Sequence, residues 1–322
     1  MAIWEVMAPR RPLTQSKAVR WYSNLGIVAL NTILARIVFP VAPVVVAMVV
    51  TERGWGLLPM LELPGWAVIA AAVVILDFAI YLQHVMVHAV PMLWRLHRMH
   101  HADLDFDVTT GARFHPVEIL LSMAIKMVVI ILIGAPAVAV LIFEIVLTAT
   151  AMFNHSNVNL PLGMDRVFRL VVVTPDMHRV HHSELPHENN SNFGFNLPWW
   201  DRLFGTYRDQ PEKGHQDMTI GIDLFRDPGE LHLHKMLAQP VAGEVWNTPS
   251  NVVIGTDRGY SEGLNSAISR ATSMASASPV ALRPLMTHSL SATEFFWLSL
   301  NFPSSRLIGI SKATMPLSMF VR

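Results

Sequence analysis

The chain of 322 residues contains no cysteine. That excludes disulfides, thiolate-held iron–sulfur clusters, c-type haem attachment and thiolate zinc sites, so any bound metal must be held by histidine and oxygen ligands. Charge is also scarce. Asp, Glu, Lys and Arg make up 15% of residues against 52% hydrophobic ones, and 24 basic side chains balance 24 acidic ones. A soluble protein of this size carries more charge, and a chain without a basic excess is not built for nucleic acid. Two motifs are missing: no Gly-x-Gly-x-x-Gly follows a strand-like run, and there is no His-Glu-x-x-His. The first removes a bound dinucleotide as the source of electrons; the second removes the usual zinc-protease signature. The segment MAIWEVMAPRRPLTQSKAVRW lacks an apolar core followed by a small-residue cleavage site, so no cleaved signal peptide is expected.

What the chain has instead is long apolar runs, at residues 25–50, 66–88, 117–133 and 136–153. The first two are long enough to cross about 30 Å of hydrocarbon at 1.5 Å per residue. The last two are shorter and joined only by Gly-Ala-Pro at 134–136, which fits a tight helical hairpin that just reaches the far face or stops short of it. Lys126 and Glu144 lie at similar distances from that turn, and since a lone charge at mid-membrane is costly they are expected either to pair or to leave Lys126 reaching the interface alone. Arg10, Arg11, Lys17 and Arg20 precede the first run, and Arg95, Arg98 and Arg113 follow the second, while the 51–65 loop holds only Arg53. The positive-inside rule puts both basic regions in the cytoplasm. With an even number of crossings between them, 84–115 and everything from 154 onward share that face. The expected fold is an all-α integral membrane protein of about four transmembrane helices under a cytosolic, histidine-lined helical cap. Residues 1–24 form a cytosolic N-terminal segment, 25–242 the membrane domain, and the Ser-rich 243–322 a poorly ordered extension. Trp94, Trp199, Trp200 and Tyr207 suit anchoring at the membrane–water interface.

Histidines are the second abundance, fifteen in all. They fall in blocks: His84-xxx-His88, His97-xx-His100-His101, His155 in FNHSN, and His178-xx-His181-His182. On a helix, spacings of three and four residues put each block on one face, a preformed claw of two or three imidazoles. A lone interfacial histidine is more often an ordinary hydrogen-bonded residue, which is the reading for His187, His215, His232, His234 and His288. The repeated HxxHH is different. Each neutral ring offers one lone pair, and eight or nine rings on one membrane face exceed what one four- to six-coordinate metal accepts, so the count points to two metals. His115, in RFHPVE, is a further possible ligand.

The succession HxxxH, LWxxHxxHH, FHPxE, NHSN and HxxHH, followed by NFGFNLPWWDRLFGTYR, resembles the fatty acid hydroxylase/sterol desaturase superfamily over residues 30–240. The resemblance implies a non-haem di-iron centre with O2 as co-substrate, attack on a C–H bond of a lipid, and electrons from a separate donor of cytochrome b5 or ferredoxin type with its reductase. It also implies nine ligands: His84, His88, His97, His100, His101, His155, His178, His181 and His182. Some members carry a second histidine four residues after the one matching His155, where this chain has Asn159.

The chemistry agrees. Breaking an alkyl C–H bond is beyond acid–base catalysis by side chains and needs a cofactor-borne oxidant. The blocks lack the carboxylates of soluble di-iron bundles, so charge compensation falls to residues behind the ligands, with Asp77, Asp103 and Asp176 as candidates. Two other readings remain: a zinc hydrolase, which argues for a single metal and the missing His-Glu-x-x-His, and a metal carrier, which argues for ligands within the spans.

Overall fold

A computed structural model describes residues 1–243; the 243–322 extension expected from the sequence lies outside the described residues from 244 onward. Among the described residues, four segments are long and apolar enough to cross a membrane: Lys17–Glu52, Gly65–Ala89, Pro116–Ile133 and Ala137–Asn154. No strand forms among the described residues, only isolated bridges at Pro9–Val158 and Ser183–Ile220.

In chain order, α1 (Ala2–Met7) is followed by α2 (Lys17–Val38) and α3 (Pro43–Glu52). The apolar run at 25–50 is thus not a single rod. Pro40 and Pro43 flank a break, because proline lacks the amide hydrogen and clashes with the preceding turn. At 22 residues, α2 alone reaches across. The loop after α3 ends against the hairpin turn: Leu57 N donates to Leu132 O, and a Cβ on Gly56 (φ 97°) would overlap the backbone of Gly134 (φ 69°). Two glycines in the left-handed region let these backbones touch.

α4 (Gly65–Ala89) then runs back to the first face, and α5 (Pro91–His101) turns off its end. The break is again a proline, Pro91 at the first position of α5. α6 (Pro116–Ile133) and α7 (Ala137–Asn154) form the expected hairpin, with Gly134 capping α6 in the left-handed conformation. Beyond it come α8 (Leu162–Phe168), α9 (Pro175–His181) and shorter turns of helix that build the cap. α9 starts with Thr174, whose hydroxyl accepts from Met177 N, and Pro175.

The core within the spans is aliphatic, built on Val46, Ala47, Ala72, Leu76, Ile130, Val140 and Phe143. Ile37, Leu132, Leu141 and Ile145 face outward, at 69%, 50%, 50% and 61% exposure, as expected where the solvent is lipid. The polar end is held by ion pairs. Arg20, fully buried at the start of α2, grips Asp103 through Nε and Nη2 at 2.9 Å each and also reaches Asp107. Asp105 accepts from the backbone of Thr14 and Gln15, and Arg10 donates to Asp176. Burial raises the Asp103 carboxyl, yet Arg20 and Arg113 hold it down at about 2. These bonds place the N-terminal segment, 84–115 and 154–240 at one end of the bundle, as the even number of crossings requires.

Lys126 Nζ lies 2.7 Å from Glu144 Oε1 across the hairpin, so of the two expected outcomes the pairing holds. In a double-mutant cycle of Lys126→Met and Glu144→Gln, unfolding in detergent should show non-additivity of at least about 0.5 kcal/mol. Additive effects would mean that the two charges act independently.

Candidate metal centre

Nine histidines meet at the polar end, none more than 7% exposed. They sort into two groups: His84, His88, His97, His101 and His181, and His100, His155, His178 and His182. Within each group one ligand atom per ring lies within 4.8 Å of all the others. The sequence blocks are not the groups. Each HxxHH was expected to act as one claw, but in α5 the i/i+4 pair His97 and His101 joins the first group while His100 turns to the second. α9 does the reverse, giving His181 to the first and His178 with His182 to the second. The reason is helical geometry: residues at i, i+3 and i+4 fan over a wide arc, so one helix lying between two centres feeds both. The groups touch, with the His101 and His182 rings stacked at 4.6 Å.

What sets the rings is the bond each makes behind it. His84 Nδ1 lies 2.8 Å from Phe193 O, His181 Nδ1 2.7 Å from Ser191 O, and His155 Nδ1 2.9 Å from Ala151 O. A carbonyl only accepts, so each Nδ1 carries the hydrogen and each Nε2 keeps its lone pair. His97 Nδ1 faces Glu118 Oε1 at 2.7 Å, and His88 Nδ1 faces Asn190 Oδ1 at 3.3 Å. The freed Nε2 atoms converge. Those of His84, His88 and His181 are buried without a partner, as are both nitrogens of His182. His155 Nε2 sits 3.2 Å from His100 Nε2 and 3.0 Å from His178 Nε2. One lone pair cannot satisfy two neighbours, whereas a cation among them can accept a lone pair from each ring. Burial, reinforced by mutual repulsion, pushes His100, His101, His178, His181 and His182 well below the ordinary imidazole range, and burial takes His155 to about 3. Neutral rings with inward lone pairs fit a divalent metal in each group.

Several residues behind the rings escaped the sequence reading. Glu118, at 4% exposure in the first turn of α6, is the carboxylate on His97. The Ser191 and Phe193 carbonyls come from a loop held by Asp201, whose carboxylate accepts from Phe193 N and Gly194 N at 2.8 Å each. A Cβ on Gly194 would press on Asp201 Oδ2 at 2.6 Å, so this loop needs glycine. The pattern FHPxE contained Glu118, and NNSNFGF followed by Asp201 contained the loop, but nothing in the spacing tied either to a particular ring.

The carboxylates expected behind the ligands serve elsewhere. Asp77 accepts from Trp200 Nε1 at 2.7 Å, Asp103 is held by Arg20, and Asp176 by Arg10 and Arg179. They lock elements together rather than orient rings. His115 caps α6, accepting from Val117 N, and belongs to neither group; Asn159 is exposed, its backbone bonded to Ala8 O. Trp94 is not at an interface: it is 1% exposed and packs 4.9 Å from the His88 ring and 5.4 Å from His101. Trp200 is tied to Asp77, whereas Trp199 is 45% exposed. The Tyr207 hydroxyl bonds to Asp209. His187 pairs with Glu212 and His215 with Asp176, outside both groups, as His232 and His234 also are; His288 lies outside the described residues.

Below the rings a cleft opens between α4, α6 and α7. Ile80, Ile119, Met123 and Leu147 make its walls, and it reaches His84 and His97 of one group and His100 and His178 of the other.

The pattern model for the fatty acid hydroxylase family matches residues 69–206, which hold all nine histidines. Those residues are a fatty acid hydroxylase domain. Its relatives include ornithine lipid hydroxylase OlsE of Rhizobium tropici, 33% identical over 153 residues, covering 47% of this chain and 45% of that protein. Alkylglycerol monooxygenase of Homo sapiens is 29% identical over 174 residues, covering 54% and 37%. Delta(7)-sterol-C5(6)-desaturase of Nicotiana tabacum is 29% identical over 165 residues, covering 48% and 56%. The matches thus span from about a third to about a half of these relatives' own lengths. No solved structure matches the chain. With four segments long and apolar enough to cross a membrane among its described residues, the chain is an integral membrane protein.

Glu118→Ala should weaken metal binding at the group of five histidines by about 10–100-fold, and Glu118→Gln, which keeps an acceptor oxygen, by less. Metal titration of the purified variants distinguishes this from a purely structural role, in which both groups would lose affinity together.

Proposed function

We propose that this chain is an O2-dependent membrane oxygenase that hydroxylates or desaturates a C–H bond of a lipid, using two irons, one in each histidine group. The observation that carries the reading is the pairing of two adjacent, buried sets of inward lone pairs with an apolar cleft that touches both. A hydrolase with one zinc has no use for the second group. A metal carrier has no use for the cleft.

His84, His88, His97, His101 and His181 would hold one iron and His100, His155, His178 and His182 the other. Iron there supplies an oxidant able to break an alkyl C–H bond once O2 and electrons arrive. The protein's own residues do the rest. The carbonyls of Ala151, Ser191 and Phe193 keep the hydrogen on Nδ1, so that each ring presents Nε2. Glu118 offsets positive charge that develops on His97. Phe114, stacked on His100 at 4.3 Å, and Phe195 line the cleft beside the rings and exclude water from it. The histidines sit at the membrane edge because a lipid chain reaches them laterally from the bilayer. Electrons come from a separate cytochrome b5- or ferredoxin-like protein with its reductase, on the cytoplasmic side, where the positive-inside rule puts the cap.

Purified protein should contain about two irons by mass spectrometry and take up O2 when given a reductant and lipid extract. His100→Ala and His181→Ala, one from each group, should each abolish turnover and leave about one iron, without unfolding the spans. Activity with stoichiometric zinc and no iron, or full activity in both variants, overturns the reading. For the orientation, single cysteines at Met92 and Val241, 72% and 80% exposed, should label from the cytoplasm, and one at Glu62 from outside. The reverse pattern would invert the cap.

A further inference from the structure

Glu118, Ser122 and Lys126 follow one another at four-residue spacing on α6, and all three line the cleft. They therefore share one helix face, and Glu118 and Lys126 stand about 12 Å apart along it. Polar side chains facing a membrane interior carry a cost and call for a partner. Glu118 has His97, and Lys126 has Glu144. Ser122, between them, has no side-chain partner among the described residues. Across the cleft on α4, Gln83 precedes His84, and its Oε1 is buried without a partner. An amide and a hydroxyl thus stand open in a cleft whose remaining wall, apart from the histidines, is apolar. The charged groups lining the cleft already have partners, Glu118 in His97 and Lys126 in Glu144.

We infer that the cleft selects lipids carrying a neutral hydrogen-bonding group, a hydroxyl, ester or amide, bound by Gln83 and Ser122 about one helix turn from the carbon presented to the histidines. Plain hydrocarbon chains leave both groups unmet, and burying an unpaired polar group is what such a site discriminates against. This rests on the cleft being the substrate site of the proposed oxygenase. It names the substrate class through Gln83 and Ser122, which touch no metal ligand's nitrogen.

The test reads binding, not turnover. Because the chain has no cysteine, Leu147→Cys on the α7 wall gives a single thiol whose alkylation by N-ethylmaleimide reports occupancy of the cleft in the full chain in detergent. Hexadecanol and hexadecyl acetate should slow alkylation at a concentration about tenfold lower than hexadecane needs. Adding Gln83→Leu and Ser122→Ala should erase that advantage while leaving protection by hexadecane unchanged, which also shows that the cleft is still formed. Hexadecane protecting as well as the polar probes, an advantage that survives the double substitution, or no protection by any probe overturns the inference. Failure of the oxygenase reading would appear instead as absent iron-dependent O2 uptake with the protection pattern intact.

Discussion

Nine imidazoles can share one buried volume only if they stay neutral and their lone pairs find something other than each other. The rest of the structure follows from that constraint. Burial disfavours the charged form of His100, His101, His155, His178, His181 and His182, and carbonyls on the far side of His84, His155 and His181 fix where the remaining hydrogen sits. Convergence is then a liability without a cation. His155 Nε2 with two ring neighbours near 3 Å is the clearest instance. The cap helices that carry the rings serve this arrangement. α5 turns off α4 at Pro91 so that two helices present rings to one centre, and α9 closes it from the other side with a threonine cap and a proline at its start.

Ion pairs at the polar end answer a related need. Helices in lipid gain little from the hydrophobic effect against one another, so the lateral positions of α2 and α5 must be set by polar contacts. Arg20 with Asp103 and Arg10 with Asp176 do this, joining an N-terminal segment to residues far along the chain. Gly56 against Gly134 does the same at the opposite end through close backbone approach. The histidine rings are thereby held by a bundle fastened at both ends, and loss of one ring should leave that bundle standing.

Much of this was legible from spacing alone. Four apolar runs, the Gly-Ala-Pro hairpin, the Lys126–Glu144 pair and the nine histidines are local features or follow from simple symmetry about a turn. The break at Pro40–Pro43 was written in the sequence but hidden by a continuous hydropathy signal. The division of each HxxHH between two centres was not legible, because it depends on where a helix lies relative to both, which spacing does not encode. Glu118 and Asp201 were missed for a similar reason: a carboxylate earns its role through the ring or amide it meets across the fold. Asp77, Asp103 and Asp176 had the right chemistry but meet indole and guanidinium groups instead.

Where the metals sit is the claim on which everything else turns, and X-ray data collected on either side of the iron absorption edge from crystals of the iron-loaded chain address it directly. The account predicts two anomalous peaks, one enclosed by His84, His88, His97, His101 and His181 and the other by His100, His155, His178 and His182. A single peak shared by both groups, or iron bound away from these nine rings, would contradict it.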